Sequence, residues 1–173
     1  MRPHPALRWS ILALAILVAA SLASVPARAD DLAGAKAFVD WIYAHYPKKS
    51  GPANNFDPLG SEVTRIFHPS LIELIKADQR VGDDQAPDLD GDPLCDCQDN
   101  GGMSFTVRSV ETSEFSRATA TVLRRDMGDP TDETITLDLA RGDGGWRVYD
   151  VETKDTPSLR AFLIKAAQEW KAR

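Results

Sequence analysis

Five aspartates fall within twelve residues, Asp88, Asp90, Asp92, Asp96 and Asp99, and the chain's two cysteines, Cys95 and Cys97, stand among them. Carboxylates at alternate positions are the donor set of a hard cation. With Asp88 first, the other four fall at positions three, five, nine and twelve of a calcium-type loop. The match fails at position six. That position needs glycine for a sharp turn, and Pro93 stands there with φ held at about −65°. An aspartate at position twelve also reaches less far than the usual glutamate. The alternative is that these carboxylates accept from backbone amides in a long turn, as aspartate readily does, or stay solvated. No metal site and no cofactor are assigned.

Gln98 and Asp99 are read as groups that tie down loop amides, with the lining of a ligand pocket as their second role. The cysteines allow an intramolecular disulfide, two reduced thiols, or metal binding or pairing with another chain. An intramolecular disulfide is the default in an oxidising compartment. The ring closed by residues two apart is very small, however, so two reduced, partly buried thiols stay open as the alternative. The usual exchange motif has two intervening residues, so a redox-active pair is not expected. His45 and His68 belong to different helical segments, and His45 is read as a packed or rim residue rather than a ligand.

Three helices must precede this segment. Asp31 to Tyr46 has apolar residues at helical spacing, with Ala35, Phe38, Trp41 or Ile42, and His45 as the inner stripe. Asp30 or Asp31 is the expected cap and Pro47 the stop. Lys48 to Gly60 reads as a loop. Ser61 to Phe67 reads as a short helix, broken at His68-Pro69. Ser70 to Gln79 follows as a helix with Leu71, Leu74 and Ile75 inward. Val81 to Gly102 is the long acidic connection.

The period then changes. Met103, Phe105 and Val107 alternate with polar residues, as do Ala118, Ala120 and Val122, then Ile135, Leu137 and Leu139. Asp126 to Pro130 separates the second and third runs. Asp143-Gly144-Gly145 makes a tight turn into a fourth strand. Its inner set is Trp146, Val148 and Asp150, or else Tyr149 and Val151. Thr156 is the expected cap of a last helix, with Pro157 in its first turn and Leu159, Phe162, Leu163, Ala166 and Trp170 inward. The class is α+β: N-terminal helices packed on a curved four-stranded antiparallel sheet, with a C-terminal helix.

The amino terminus reads as a cleavable secretory signal over residues 1–29. Arg2 and Arg8 begin it, an apolar run from Trp9 to Ala23 follows, and Ala27-Arg28-Ala29 supplies the small-x-small pattern. The run is shorter than the ~20 residues of a spanning helix, and Pro26 is expected to break it. No membrane anchor is therefore expected after cleavage. Residues 30–173 form a single expected domain, periplasmic or secreted. Cleavage removes three arginines and no acid, taking the formal charge from −6 to −9. Such a surface repels nucleic acid and anionic lipid. It suits cations, basic proteins or neutral small molecules.

The segment Asp88-Leu89-Asp90-Gly91-Asp92-Pro93, with Gln98-Asp99 after the cysteines, resembles the bacterial exported domain-of-unknown-function family 3828. Phe67-His68-Pro69-Ser70-Leu71, Gly145-Trp146-Arg147-Val148-Tyr149-Asp150-Val151 and Ser158-Leu159-Arg160 fit the same resemblance. Helices followed by a four-strand curved sheet are similar to the cone-shaped nuclear-transport-factor-two-like superfamily. The resemblance implies a cone fold and an envelope setting, and implies no catalytic residue.

No Ser-His-Asp frame, phosphate loop or H-E-x-x-H is present. The leading expectation is an exported, non-catalytic binding or accessory protein of the bacterial envelope, with an envelope protein or a small molecule as partner. The alternative is small-molecule binding or isomerase-like catalysis in the cone. Asp92, Asp99 or Asp150 would then pair with Tyr46 or Tyr149. The candidate ligand-contacting residues are accordingly Tyr46, Asp92, Gln98, Asp99, Tyr149 and Asp150.

Overall fold

A computed structural model describes residues 26–46, 57–80, 86–113, 116–126 and 131–171. The apolar run of the expected signal lies outside the described residues. So do most of the Lys48–Gly60 loop, the first five residues of the acidic connection, and 127–130 between the second and third strands.

Helix α1 runs over Pro26–Ala44, α2 over Val63–Ile66 and α3 over Pro69–Gln79. Strands β1 (Met103–Thr112), β2 (Arg117–Asp126), β3 (Glu133–Gly142) and β4 (Gly145–Glu152) follow, and α4 spans Leu159–Lys171. The sheet is an antiparallel meander in the order β1-β2-β3-β4. The class is therefore α+β, as expected. No helix of the described residues is long and apolar enough to cross a membrane.

Alternation along the strands builds the core. Ala118, Ala120 and Val122 on β2 and Ile135, Leu137 and Leu139 on β3 are buried on one face. α1 covers that face with Ala35, Val39, Ile42 and Tyr43, and Tyr46 joins them just past its end. The buried stripe of α1 is thus rotated from the expected one. Phe38 and Trp41 are only partly buried against the core, and Trp41 carries the Arg65 guanidinium 3.8 Å from its ring centre. His45 sits at the rim, its Nδ1 2.7 Å from the Trp41 carbonyl oxygen.

Two helix starts differ from expectation. α1 is already helical from Pro26, the first described residue, upstream of the expected start at Asp31. Asp31 is not the cap; its carboxylate pairs with Arg141 on β3. At the far end Ser158 caps α4 in place of Thr156, its Oγ accepting from the Ala161 N–H at 3.0 Å.

Strand β4 satisfies both of its expected registers in turn. Leu139 pairs with Val148 but Asp138 pairs with Asp150, so Tyr149 is an extra, bulged residue. Trp146 and Val148 face inward before the bulge and Val151 after it. Asp150, expected inside, is turned out of the core by that single residue.

Candidate functional site

The acidic connection is fastened by every layer around it. Asp78 of α3, buried at 4 % exposure, accepts from the Asp88 and Leu89 amides at 3.1 and 3.0 Å. Trp170 of α4 donates its indole N–H to Asp88 at 2.9 Å. Tyr43 of α1 donates to the Leu94 carbonyl at 2.8 Å. From β2, one guanidinium nitrogen of Arg124 donates to the Cys95 and Asp96 carbonyls at 2.9 and 2.6 Å. Its other arm pairs with Glu133.

Within the connection the chain closes into a tight turn. The Asp92 amide donates to the Cys97 carbonyl at 2.8 Å, and the Cys95 and Cys97 amides donate back to the Asp92 carbonyl. Cys95 and Cys97 form a disulfide with their Cα atoms 5.2 Å apart. Asp96, between them, has φ +52°, a left-handed conformation that aspartate tolerates better than most residues. Gly91 is required for a separate reason. A Cβ there would lie 2.8 Å from the Cys97 carbonyl oxygen.

Asp92 is the hub of the turn. One carboxylate oxygen accepts from the Tyr46 hydroxyl and the other from the Leu94 amide at 2.8 Å. Burial pushes its carboxyl up to about 6, against the hydrogen bonds from Tyr46, Leu94 and Cys95, which favour the charged form. Burial, and then the Asp92 charge, raise the Tyr46 hydroxyl well above its ordinary value. Tyr46 is 2 % exposed.

A cleft of about 310 Å³ opens between this turn and the start of α4. One wall is apolar, formed by Leu89, Val151, Leu159 and Phe162. Phe162 was expected in the core and is 38 % exposed, because the outer side of α4 borders this opening. The other wall carries the carboxylates of Asp88, Asp90, Asp92 and Asp96. Among the described residues no group of three or more His, Cys, Asp or Glu is arranged to hold a metal ion. The carboxylates are instead engaged one by one, Asp90 by the Gln98 amide at 2.8 Å and Asp99 by the Gly101 N–H at 2.7 Å.

Of the six candidate residues, the fold joins Tyr46 to Asp92 and sets Gln98 on the cleft wall beside them. Asp99 is not on that wall. Asp150 accepts from Ser158 Oγ at 2.6 Å and the Arg160 amide at 3.0 Å, so it holds the start of α4. Tyr149 belongs to a separate cluster with His68, Arg117 and Arg160. Sequence reasoning did not find Asp78, Arg124 or the apolar wall, whose partners are distant in the chain. The one available signal was an aspartate, Asp78, closing the polar side of a helix just before an unusual loop.

No family model, curated protein or solved structure matches this chain.

Proposed function

We propose that this chain is an exported, non-catalytic ligand-binding protein of the bacterial envelope, and that the cleft between the acidic turn and α4 is its ligand site. The observation that carries the reading is the pairing of an apolar wall with a carboxylate wall around about 310 Å³. That volume suits a small molecule. A ligand with an apolar body and a cationic head complements both walls, since a bound charge there meets carboxylates rather than like charge.

The Tyr46–Asp92 pair argues against isomerase-type chemistry. Such a site needs a donor and a base that both face the substrate. Here the buried tyrosine directs its hydrogen bond to the aspartate itself. The ordered segments Asp88–Asp99 and Gly145–Val151 support membership of family 3828 and of the cone superfamily, as part of the same proposal.

Calorimetric titration with phenethylamine, its neutral alcohol counterpart and the matching carboxylate tests the site. The amine is expected to bind at least about tenfold tighter than the carboxylate. Asp90→Asn and Phe162→Ala should each weaken it, with melting nearly unchanged because both side chains border solvent. Equal binding of the three compounds, or indifference to both substitutions, would refute the reading. For export, the protein recovered from the envelope fraction should begin at Asp30 by intact mass.

A further inference from the structure

We propose that His68, Arg117, Tyr149 and Arg160 form a second, independent site that binds a phosphate group. The bulge in β4 presents the Tyr149 ring, and two guanidiniums stack on it. The Arg117 and Arg160 carbons lie 4.1 and 4.3 Å from the ring centre. Arg117 begins β2 and pairs with Ala140 of β3. That small side chain lets the guanidinium cross β3 to reach Tyr149 on β4. His68, which precedes α3, meets the same ring edge-on at 5.4 Å.

The cluster is rich in donors and poor in acceptors. Among the described residues, Arg160 reaches Ser70 Oγ at 3.0 Å and the Tyr149 carbonyl at 3.5 Å, and no carboxylate side chain. The Arg117 guanidinium stacks on the ring, and no ion pair to it is found among the described residues. Asp150, next to Tyr149 in sequence, is turned to Ser158 and the Arg160 amide, and Asp138 of β3 accepts from the Thr119 hydroxyl at 3.2 Å. His68 Nδ1 accepts from the Ser70 N–H at 3.3 Å, so the neutral ring carries its proton on Nε2. Burial, then Arg160 and Arg117, hold that imidazole below its ordinary range, which fits a spot already crowded with positive charge.

Two guanidiniums and an imidazole are thus gathered around one tyrosine ring in a protein of formal charge −6. A carboxylate has two oxygens and is served by one guanidinium fork. A phosphate has more acceptor oxygens and the higher charge, and matches several donors arriving from different elements. None of the four residues lines the acidic cleft, so this site stands whether or not the cleft binds a cation.

The test is titration with inorganic phosphate at constant ionic strength, read by calorimetry and by the His68 ring signals in NMR. One site per chain with a dissociation constant of about 1 mM or tighter is expected, with the His68 pKa moving up as phosphate binds. Arg117→Gln should weaken binding about tenfold or more without lowering the melting midpoint, because Arg117 is exposed. Tyr149→Phe keeps the ring for stacking and should weaken binding less. Glycerol phosphate binding at the same residues would identify a phosphomonoester as the ligand. A response equalled by chloride, wild-type affinity in Arg117→Gln, or binding only to phosphatidylglycerol vesicles with none to inorganic phosphate would each overturn the proposal.

Discussion

Asp92 binds its proton more tightly in the folded chain than in the unfolded one, since burial raises its pKa from 3.8 to about 6. Between about pH 4 and 6 the folded state therefore holds the larger share of protons, and stability falls as pH rises through that window. Below it the group is protonated in both states and the slope vanishes. Asp92→Asn should flatten this part of the profile. It should also recover about 1–2 kcal/mol at neutral pH, less what is lost where the amide replaces the oxygen that accepts from Tyr46 or Leu94. Urea denaturation of both proteins at pH 4.5 and pH 7 measures the difference. Tyr46→Phe should lower stability at both values. It removes the donor that sits between α1 and the turn and leaves a carboxylate oxygen facing a buried ring.

At the scale of elements, the acidic connection is ordered by contacts that lie far away in sequence. Asp78→Ala would strand the Asp88 and Leu89 amides. It should cost about 1–3 kcal/mol in urea denaturation and weaken ligand binding in the cleft, because it frees one wall. Ser158→Ala removes the cap of α4 and should cost about 1 kcal/mol, leaving the acidic turn intact.

The helices and strands themselves were legible in the sequence because periodicity is local. The order of elements, the α3 boundary and the β3–β4 turn all followed from spacing, glycine and proline. Register was legible only up to Val148. Beyond it the bulge at Tyr149 answers to packing against α4 and β3, which no alternation encodes. The turning of α1 had the same cause. Phe38 and Trp41 fit an inward stripe as well as Val39 and Tyr43 do, and only the shape of the sheet decides between them.

The whole molecule places its charges unevenly. Acid collects on one wall of a cleft, while two arginines and a histidine gather around Tyr149 on the other side of the β4 bulge. The Tyr46–Asp92 pair was among the pairings the residues suggested. The site around it was not, since its walls come from the acidic connection, β4, the segment after it and α4 and meet only in the folded chain. The disulfide adds little at this scale. It closes a minimal loop, so loss of both cysteines by substitution with serine should lower global stability by no more than about 1.5 kcal/mol in calorimetric melting. Removing residues 1–29 would leave Asp30 and Asp31 at the start of α1. Negative charge there offsets the positive end of the helix, and Asp31 keeps Arg141 as its partner.

The bond between Trp170 and Asp88 joins the last turns of α4 to the first residues of the acidic turn. An indole held by a carboxylate emits differently from one facing water alone. The chain therefore carries a built-in optical gauge. A change in the separation of those two segments should appear as a shift in tryptophan emission, with no dye attached, and Trp170→Phe should silence it while the signals of Trp41 and Trp146 persist.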